Sequence, residues 1–115
     1  MHIDAYRHGH MVIDGHAETK DLLIAGGEVH SNWWRDAGHR LSPADLDVVW
    51  KYRPRRLIVG TGSTGMMQPT PALLREASKA GIDLQVMTTI EAVARFNELS
   101  ETESEGLAAA FHLTC

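Results

Sequence analysis

The sequence holds one cysteine, Cys115, so no disulfide can form within the chain. That fits a reducing compartment, and the cytoplasm is the expected location. Long apolar runs are missing too. No stretch approaches the roughly 20 apolar residues of a membrane span, and the N-terminal MHIDAYRHGH has no apolar core of the kind a secretory signal needs. Membrane insertion is therefore not expected. Nor is there an excess of positive charge: 11 Lys and Arg stand against 15 Asp and Glu, a formal net charge of −4. Such a chain sets up no overall positive field to recruit phosphate backbones, which argues against nucleic acid as a partner. Repeats, low-complexity tracts and linkers are absent, and 115 residues suit a single domain, 1–115, with one real core.

What is present is globular: 43% hydrophobic and 23% charged residues are enough apolar surface to fold and too little charge for a disordered chain. The character changes near residue 41. Before it, the apolar runs Met11–Ile13 and Leu22–Ala25 are broken by Asp14-Gly15 and Gly26-Gly27, dipeptides that form tight turns because glycine reaches positive φ without steric cost. A third extended run is expected from Val29 toward Trp33, so this half reads as antiparallel strands.

After it, helices alternate with strands. Ser42-Pro43-Ala44-Asp45 opens a helix with a capping serine, a proline at the first position and an acid at the third. Leu46, Val49 and Trp50 share one face of it, and Arg53-Pro54 ends it. Leu57-Ile58-Val59 is the continuous apolar run of a strand covered on both faces. Thr70-Pro71 opens a second helix, with Leu73, Leu74 and Ala77 inward, and Gly81 closes it. Ile82, Leu84 and Val86 alternate as a strand. Thr88 and Glu91 have capping-box spacing, so a third helix is expected to about Asn97. Leu107, Ala109, Phe111 and Leu113 alternate with Ala108, Ala110 and His112, and are read as a final strand. The unit Leu57–Val59, helix, Ile82–Met87 is a β-α-β crossover, and ligands in such sheets gather beyond the carboxyl ends of the strands. That edge carries the Gly60–Pro69 loop and Thr88-Thr89.

Gly60-Thr61-Gly62-Ser63-Thr64-Gly65 has the spacing G-x-G-x-x-G after a strand, which in a dinucleotide site lets backbone approach a pyrophosphate. Here the helix starts several residues after Gly65, the next strand ends in Thr88-Thr89 rather than an acid, and no lysine stands in the loop. A dinucleotide site and a P-loop are thus disfavoured, leaving a structural turn or a seat for another small anion. Met66 and Met67 extend the loop as either an adaptable contact surface or gap-fillers over the sheet edge.

Trp33-Trp34-Arg35, Leu57 to Gly62, Gly81-Ile82-Asp83, Thr88 to Asn97 and Phe111-His112-Leu113-Thr114-Cys115 occur together in a known order. With these motifs the chain resembles the small domain of unknown function shared by adipogenesis-associated domain proteins and a mitochondrial respiratory complex I assembly factor. The resemblance spans about residues 10 to 115. It implies a three-layer α/β fold whose mixed central sheet has one antiparallel strand, here preceded by an N-terminal antiparallel β portion. It implies no established enzymatic activity, and its best-understood branch assists assembly of a membrane enzyme. Thr61 stands where some relatives carry an arginine, a departure that weakens an anion-binding role.

Outside the loop, Trp33, Trp34 and Arg35 have the composition of an interaction hot spot, the alternative being core packing and cover for a strand edge. His2, His8, His10 and His16 crowd the N-terminus; His8 and His10 would share one face of a strand, yet no second pair completes a metal set, and solvated histidines on a frayed end are expected. His112 and Cys115, three apart on a strand, would point to opposite faces and fail to meet as base and nucleophile. Lys51, Arg53, Arg55 and Arg56 offset the dipole at a helix C-terminus. No catalytic residue, metal ligand or cofactor is assigned. The leading expectation is a non-catalytic binding or assembly-factor-like protein, monomeric or homodimeric, contacting a protein partner through Trp33, Trp34, Arg35, Gly60, Thr61, Gly62, Ser63, Thr64, Gly65, Met66, Met67 and Thr88. The alternative is an enzyme or sensor in which the Gly60–Gly65 amides hold an anion and Arg35 supplies its counter-charge.

Overall fold

The computed structural model describes residues 1–115. Its N-terminal portion is an antiparallel sheet of β1 (Ile3–Arg7), β2 (His10–Ile13) and β3 (His16–Glu18). Asp14 and Gly15, both at positive φ, make the turn between β2 and β3 that the sequence predicts. Strand β1 replaces the expected frayed end. Only Ile3 of its residues is fully buried, so no alternation marks it in the sequence. Pairing fixes it instead: it lies along β2, while the Asn97 side chain accepts from the Ile3 amide (2.8 Å) and donates to the Ile3 carbonyl (2.9 Å).

The chain continues through β4 (Leu22–Ala25), β5 (Glu28–His30), β6 (Arg40–Leu41), a 3-10 turn (Pro43–Leu46) and α1 (Asp47–Tyr52). Then come β7 (Arg56–Gly60), β8 (Gln68–Pro69), α2 (Pro71–Lys79), β9 (Asp83–Met87), α3 (Thr89–Thr102) and β10 (Leu107–Phe111). The central sheet has the order β5-β4-β10-β7-β9. β10 and β9 pair parallel to β7, whereas β4 pairs antiparallel to both β10 and β5, so β4 alone runs against the rest. This is the expected mixed sheet.

Further elements differ from their sequence reading. β5 stops at His30 because Asn32 adopts a left-handed φ of 56° and breaks the extended run before Trp33. The helix expected from Pro43 is a 3-10 turn followed by α1, although the Asp45 carboxylate does accept from the Ser42 amide (2.8 Å). Helix α3 runs to Thr102 rather than Asn97, because Leu99 is still buried in the core. The short β6–β8 pair has no sequence signature and ties residues 40–41 to 68–69.

Strand alternation divides the core between two faces. Leu107, Ala109 and Phe111 pack with Leu22, Ile24, Ile58, Phe96 and the N-terminal sheet, under α3. Ala108 and Ala110 pack with Leu57, Val59, Val49, Leu73 and Met67, under α1 and α2. Every residue of β10 is buried. Alanines occupy its middle because both faces are covered there and large side chains such as Phe96 and Phe111, in edge-to-face contact at 6.0 Å, fill the space beside them. Ala109→Leu is therefore expected to overpack the centre and lower stability by about 1–3 kcal/mol, read as a lower urea midpoint. An unchanged midpoint would show room at the sheet centre that the packing does not.

Candidate functional site

The carboxyl ends of β7 and β10 and the start of β4 meet at one edge. Antiparallel pairing of Phe111 with Leu22 sets the next residues, His112 and Asp21, side by side there, although 91 positions separate them in the chain. Asp21 Oδ2 accepts from Arg35 Nη1 and from His112 Nδ1, each at 2.7 Å. Its Oδ1 accepts from the Leu113 amide at 2.8 Å, and its own carbonyl accepts from the Trp33 amide at 2.8 Å. Burial alone would push the Asp21 carboxyl up; the hydrogen bonds from His112, Leu113 and Arg35 outweigh it and hold the group below its ordinary value. Since the carboxylate can only accept, His112 Nδ1 is the donor in that contact.

Arg35 completes the network. Its Nη2 donates to the Gly38 carbonyl at 2.8 Å and lies 3.2 Å from His112 Nδ1, and the guanidinium stacks 4.7 Å from the centroid of the Trp33 ring. Trp33 is itself pinned by its Nε1 donating to the Asp45 carbonyl at 2.8 Å. Two buried polar atoms in this cluster have no partner: Arg35 Nε and His112 Nε2. Tyr6 reaches in from β1, donating to the Leu113 carbonyl at 2.9 Å, and burial raises its phenol above the ordinary value.

The glycine loop turns its donors toward the chain's own tail. Thr61 N–H donates to Met87 O, Gly62 N–H to Thr89 Oγ1, Ser63 N–H to Thr114 O, and both Thr64 and Met66 N–H to Cys115 O. Gly65 N–H closes back on Gly62 O, and Thr64 Oγ1 adds a second bond to Cys115 O at 2.6 Å. Every amide from Thr61 to Met66 is thus taken, and Arg35 is committed to Asp21 and Gly38. In this arrangement no loop amide is spare for an anion: the Thr114–Cys115 backbone takes Ser63, Thr64 and Met66, while Met87, Thr89 and Gly62 take Thr61, Gly62 and Gly65.

The remaining residues named from the sequence separate by exposure. Trp34 is 77% exposed and Met66 is 50% exposed, whereas Met67 and Thr61 are buried, Met67 with Leu41 and Leu73 in the core. Met67 is therefore the gap-filler and Met66 the surface residue. Thr88 caps α3 through Glu91, its hydroxyl donating at 2.7 Å, while the neighbouring Thr89 faces the site and donates to the His112 carbonyl at 2.7 Å. His8 and His10 stand on either side of the Gly9 turn rather than along one strand, and His8 Nδ1 contacts Ser63 Oγ at 2.8 Å. The expectation that His112 and Cys115 would not meet is overturned. β10 ends at Phe111, so strand alternation no longer governs them, and a ring nitrogen of His112, one of His39 and Cys115 Sγ lie within 4.8 Å of one another.

Trp34 and Trp33 line two clefts, one shared with Asp21 and Thr114, the other with Leu23, Ala44, Val48, Asp36, Asp45 and Asp47. Thr114 also accepts from Ser63, so one residue joins the first of these clefts to the glycine loop. A larger cleft between the 3-10 turn and α2, lined by Trp50, Arg53, Glu76 and Ile82, lacks convergent reactive groups. No helix of the chain is long and apolar enough to cross a membrane.

The family described as a protein of unknown function (DUF498/DUF598) matches residues 3–112. Among solved structures, the conserved hypothetical protein PH1505 of Pyrococcus horikoshii OT3 is 25% identical and superposes with a TM-score of 0.81, over the full length of both chains. XCC1710 of Xanthomonas campestris is 21% identical at a TM-score of 0.79, over 96% of this chain and 83% of its own. A Bordetella pertussis protein described as an Mth938-like domain is 18% identical at a TM-score of 0.67, over 97% of this chain and 85% of its own. The fold is common to all three.

Proposed function

Because the chain belongs to the DUF498/DUF598 family, described only as of unknown function, its role has to be read from its own surface, and we propose a non-catalytic, assembly-factor-like protein that engages a protein partner through Trp34. The carrying observation is the 77% exposure of Trp34 on a rigid base. An indole left in water costs free energy that burial against a partner recovers, and such residues dominate interface energetics. Trp33, stacked on Arg35 and bonded to Asp45, fixes the backbone beneath it, so little ordering entropy opposes docking. The adjoining cleft combines apolar Leu23, Trp33 and Val48 with Asp36 and Asp47. That chemistry suits a partner segment with an apolar anchor flanked by Lys or Arg. The resemblance to a family that includes a complex I assembly factor supports the same reading, and a single cysteine suits a cytoplasmic setting.

The test is fluorescence anisotropy with two labelled peptide sets, apolar anchors flanked by Lys/Arg and the same anchors flanked by Asp/Glu. The basic set is expected to bind, with Trp34→Ala weakening it at least about 30-fold, the loss of a hot-spot tryptophan. Asp36→Asn with Asp47→Asn should slow association and flatten its salt dependence. Equal binding of both sets, or affinity unchanged by Trp34→Ala, would sink the proposal.

A further inference from the structure

We propose that His39, His112 and Cys115 bind a zinc-class divalent transition metal ion, with a fourth coordination position left open. The proposal concerns a site separate from the Trp34 contact and stands or falls independently of it. Two imidazoles and a thiol form a borderline-soft donor set, which suits zinc-class ions and not the oxygen-seeking magnesium or calcium. Their ligand atoms already lie within 4.8 Å of one another. Around a tetrahedral zinc ion, bond lengths of about 2.0–2.3 Å place such atoms roughly 3.3–3.6 Å apart. The difference, on the order of 1 Å, is within reach of side-chain rotation, and His39 and Cys115 are exposed and free to make it.

His112 supplies the fixed point. It is 6% exposed, its Nδ1 is held by Asp21 at 2.7 Å, and its Nε2 is buried with no hydrogen-bond partner. A buried ring nitrogen without a partner is costly and calls for one. A metal ion is such a partner, and a carboxylate on the far nitrogen is the usual second support of a metal-binding imidazole, fixing its tautomer and raising its basicity. The Arg35 guanidinium beside Nδ1 would repel a cation, but its charge is offset by Asp21, the group both residues share. The remaining ligands are positioned by backbone. Gln68 N–H donates to His39 O, which ties His39 to the β8 strand, and Thr64 and Met66 N–H hold Cys115 O against the glycine loop. On this reading the loop serves as the clasp that delivers the thiolate. Three protein ligands and an open position are the arrangement of an ion that binds a further small ligand.

Reduced, metal-free protein titrated with Co(II) alone is the direct test. One ion per chain is expected, with tetrahedral d–d absorption and a thiolate-to-cobalt charge-transfer band, both displaced by Zn(II). Cys115→Ser should abolish the charge-transfer band, and His39→Ala should weaken binding at least about 10-fold. Both side chains are exposed, so these variants keep the fold. His8→Ala with His10→Ala should change nothing. No uptake of Co(II), or uptake that survives Cys115→Ser and is lost with the His8 and His10 variant, would overturn the assignment. So would a Cys115 alkylation rate that falls in His112→Ala protein with no cobalt signature in the parent, since that marks an activated thiol instead.

Discussion

Asp21→Ala is expected to destabilise the protein by about 3–5 kcal/mol, the usual effect of removing one partner from a buried ion pair. The side chain accepts from Arg35, His112 and the Leu113 amide, and Arg35 is almost wholly enclosed. With the carboxylate gone, the guanidinium stays buried opposite a histidine, and three donors lose their acceptor. Total stabilities of about 5–15 kcal/mol leave little margin for such a loss, so the urea midpoint should fall steeply. The same carboxylate gives the protein an acid limb. In the unfolded chain Asp21 takes up a proton near pH ~3.9; in the fold it does so only at lower pH. Between the two values the unfolded state binds more protons, so the contribution is fully present above the ordinary carboxylate range and disappears as pH falls through the lowered value. Asp21→Asn should remove this component of the acid dependence. A midpoint in Asp21→Ala within about 1 kcal/mol of the parent would mean that the network is wet and worth no more than a surface pair.

Gly62→Ala should have a comparable effect for a steric reason. A Cβ at Gly62 would lie 2.3 Å from the Cys115 carbonyl carbon and 2.5 Å from Thr114 O, at a φ of +111° that L side chains rarely adopt. Backbone cannot yield as a flexible side chain does, so either the loop or the tail must move. The strain contributes about 1–3 kcal/mol, and each loop-to-tail hydrogen bond that is lost adds about 0.5–1.5 kcal/mol. A total of roughly 3 kcal/mol or more is expected. Amide hydrogen exchange should show Ser63, Thr64 and Met66 losing protection together, because all three donate to Thr114 or Cys115. Gly65→Ala is the matched control: its φ is +74°, but its nearest neighbour is Thr61 Oγ1 at 3.5 Å. It should cost about 1–2 kcal/mol, the left-handed penalty alone. Equal losses in the two variants would show that the tail is not clasped by the loop.

Local chemistry made much of the architecture legible. The turn at Asp14-Gly15, the acid that closes on Ser42, Thr70 accepting from the Leu73 amide at the start of α2, and the alternation of β10 each depend on residues within a few positions of one another. These interactions are short-range, so composition and spacing suffice to place them. Strand β1 was not legible, because its signal is pairing with β2 and with Asn97 rather than its own pattern. The fate of Met67 was not legible either, since adjacent methionines look alike until one of them is covered by Leu41 and Leu73.

The site divides along the same line. Residue identity and spacing alone marked which groups carry unusual chemistry: a tryptophan pair beside an arginine, a glycine loop after a buried strand, and one cysteine. Their assignment to roles was decided by tertiary structure. Arg35 beside two tryptophans reads as part of a contact surface or as an anion's counter-charge, and is a buried partner of Asp21, a residue in no motif. The glycine spacing admits a structural turn or a seat for a small anion, and the loop holds Thr114 and Cys115. His112 and Cys115 looked separated by strand alternation and are brought together where the strand ends. In each case the deciding contact depends on segments far apart in the chain. Hydrogen bonds, burial and close approach between distant segments follow from how layers pack, and no local spacing rule encodes them.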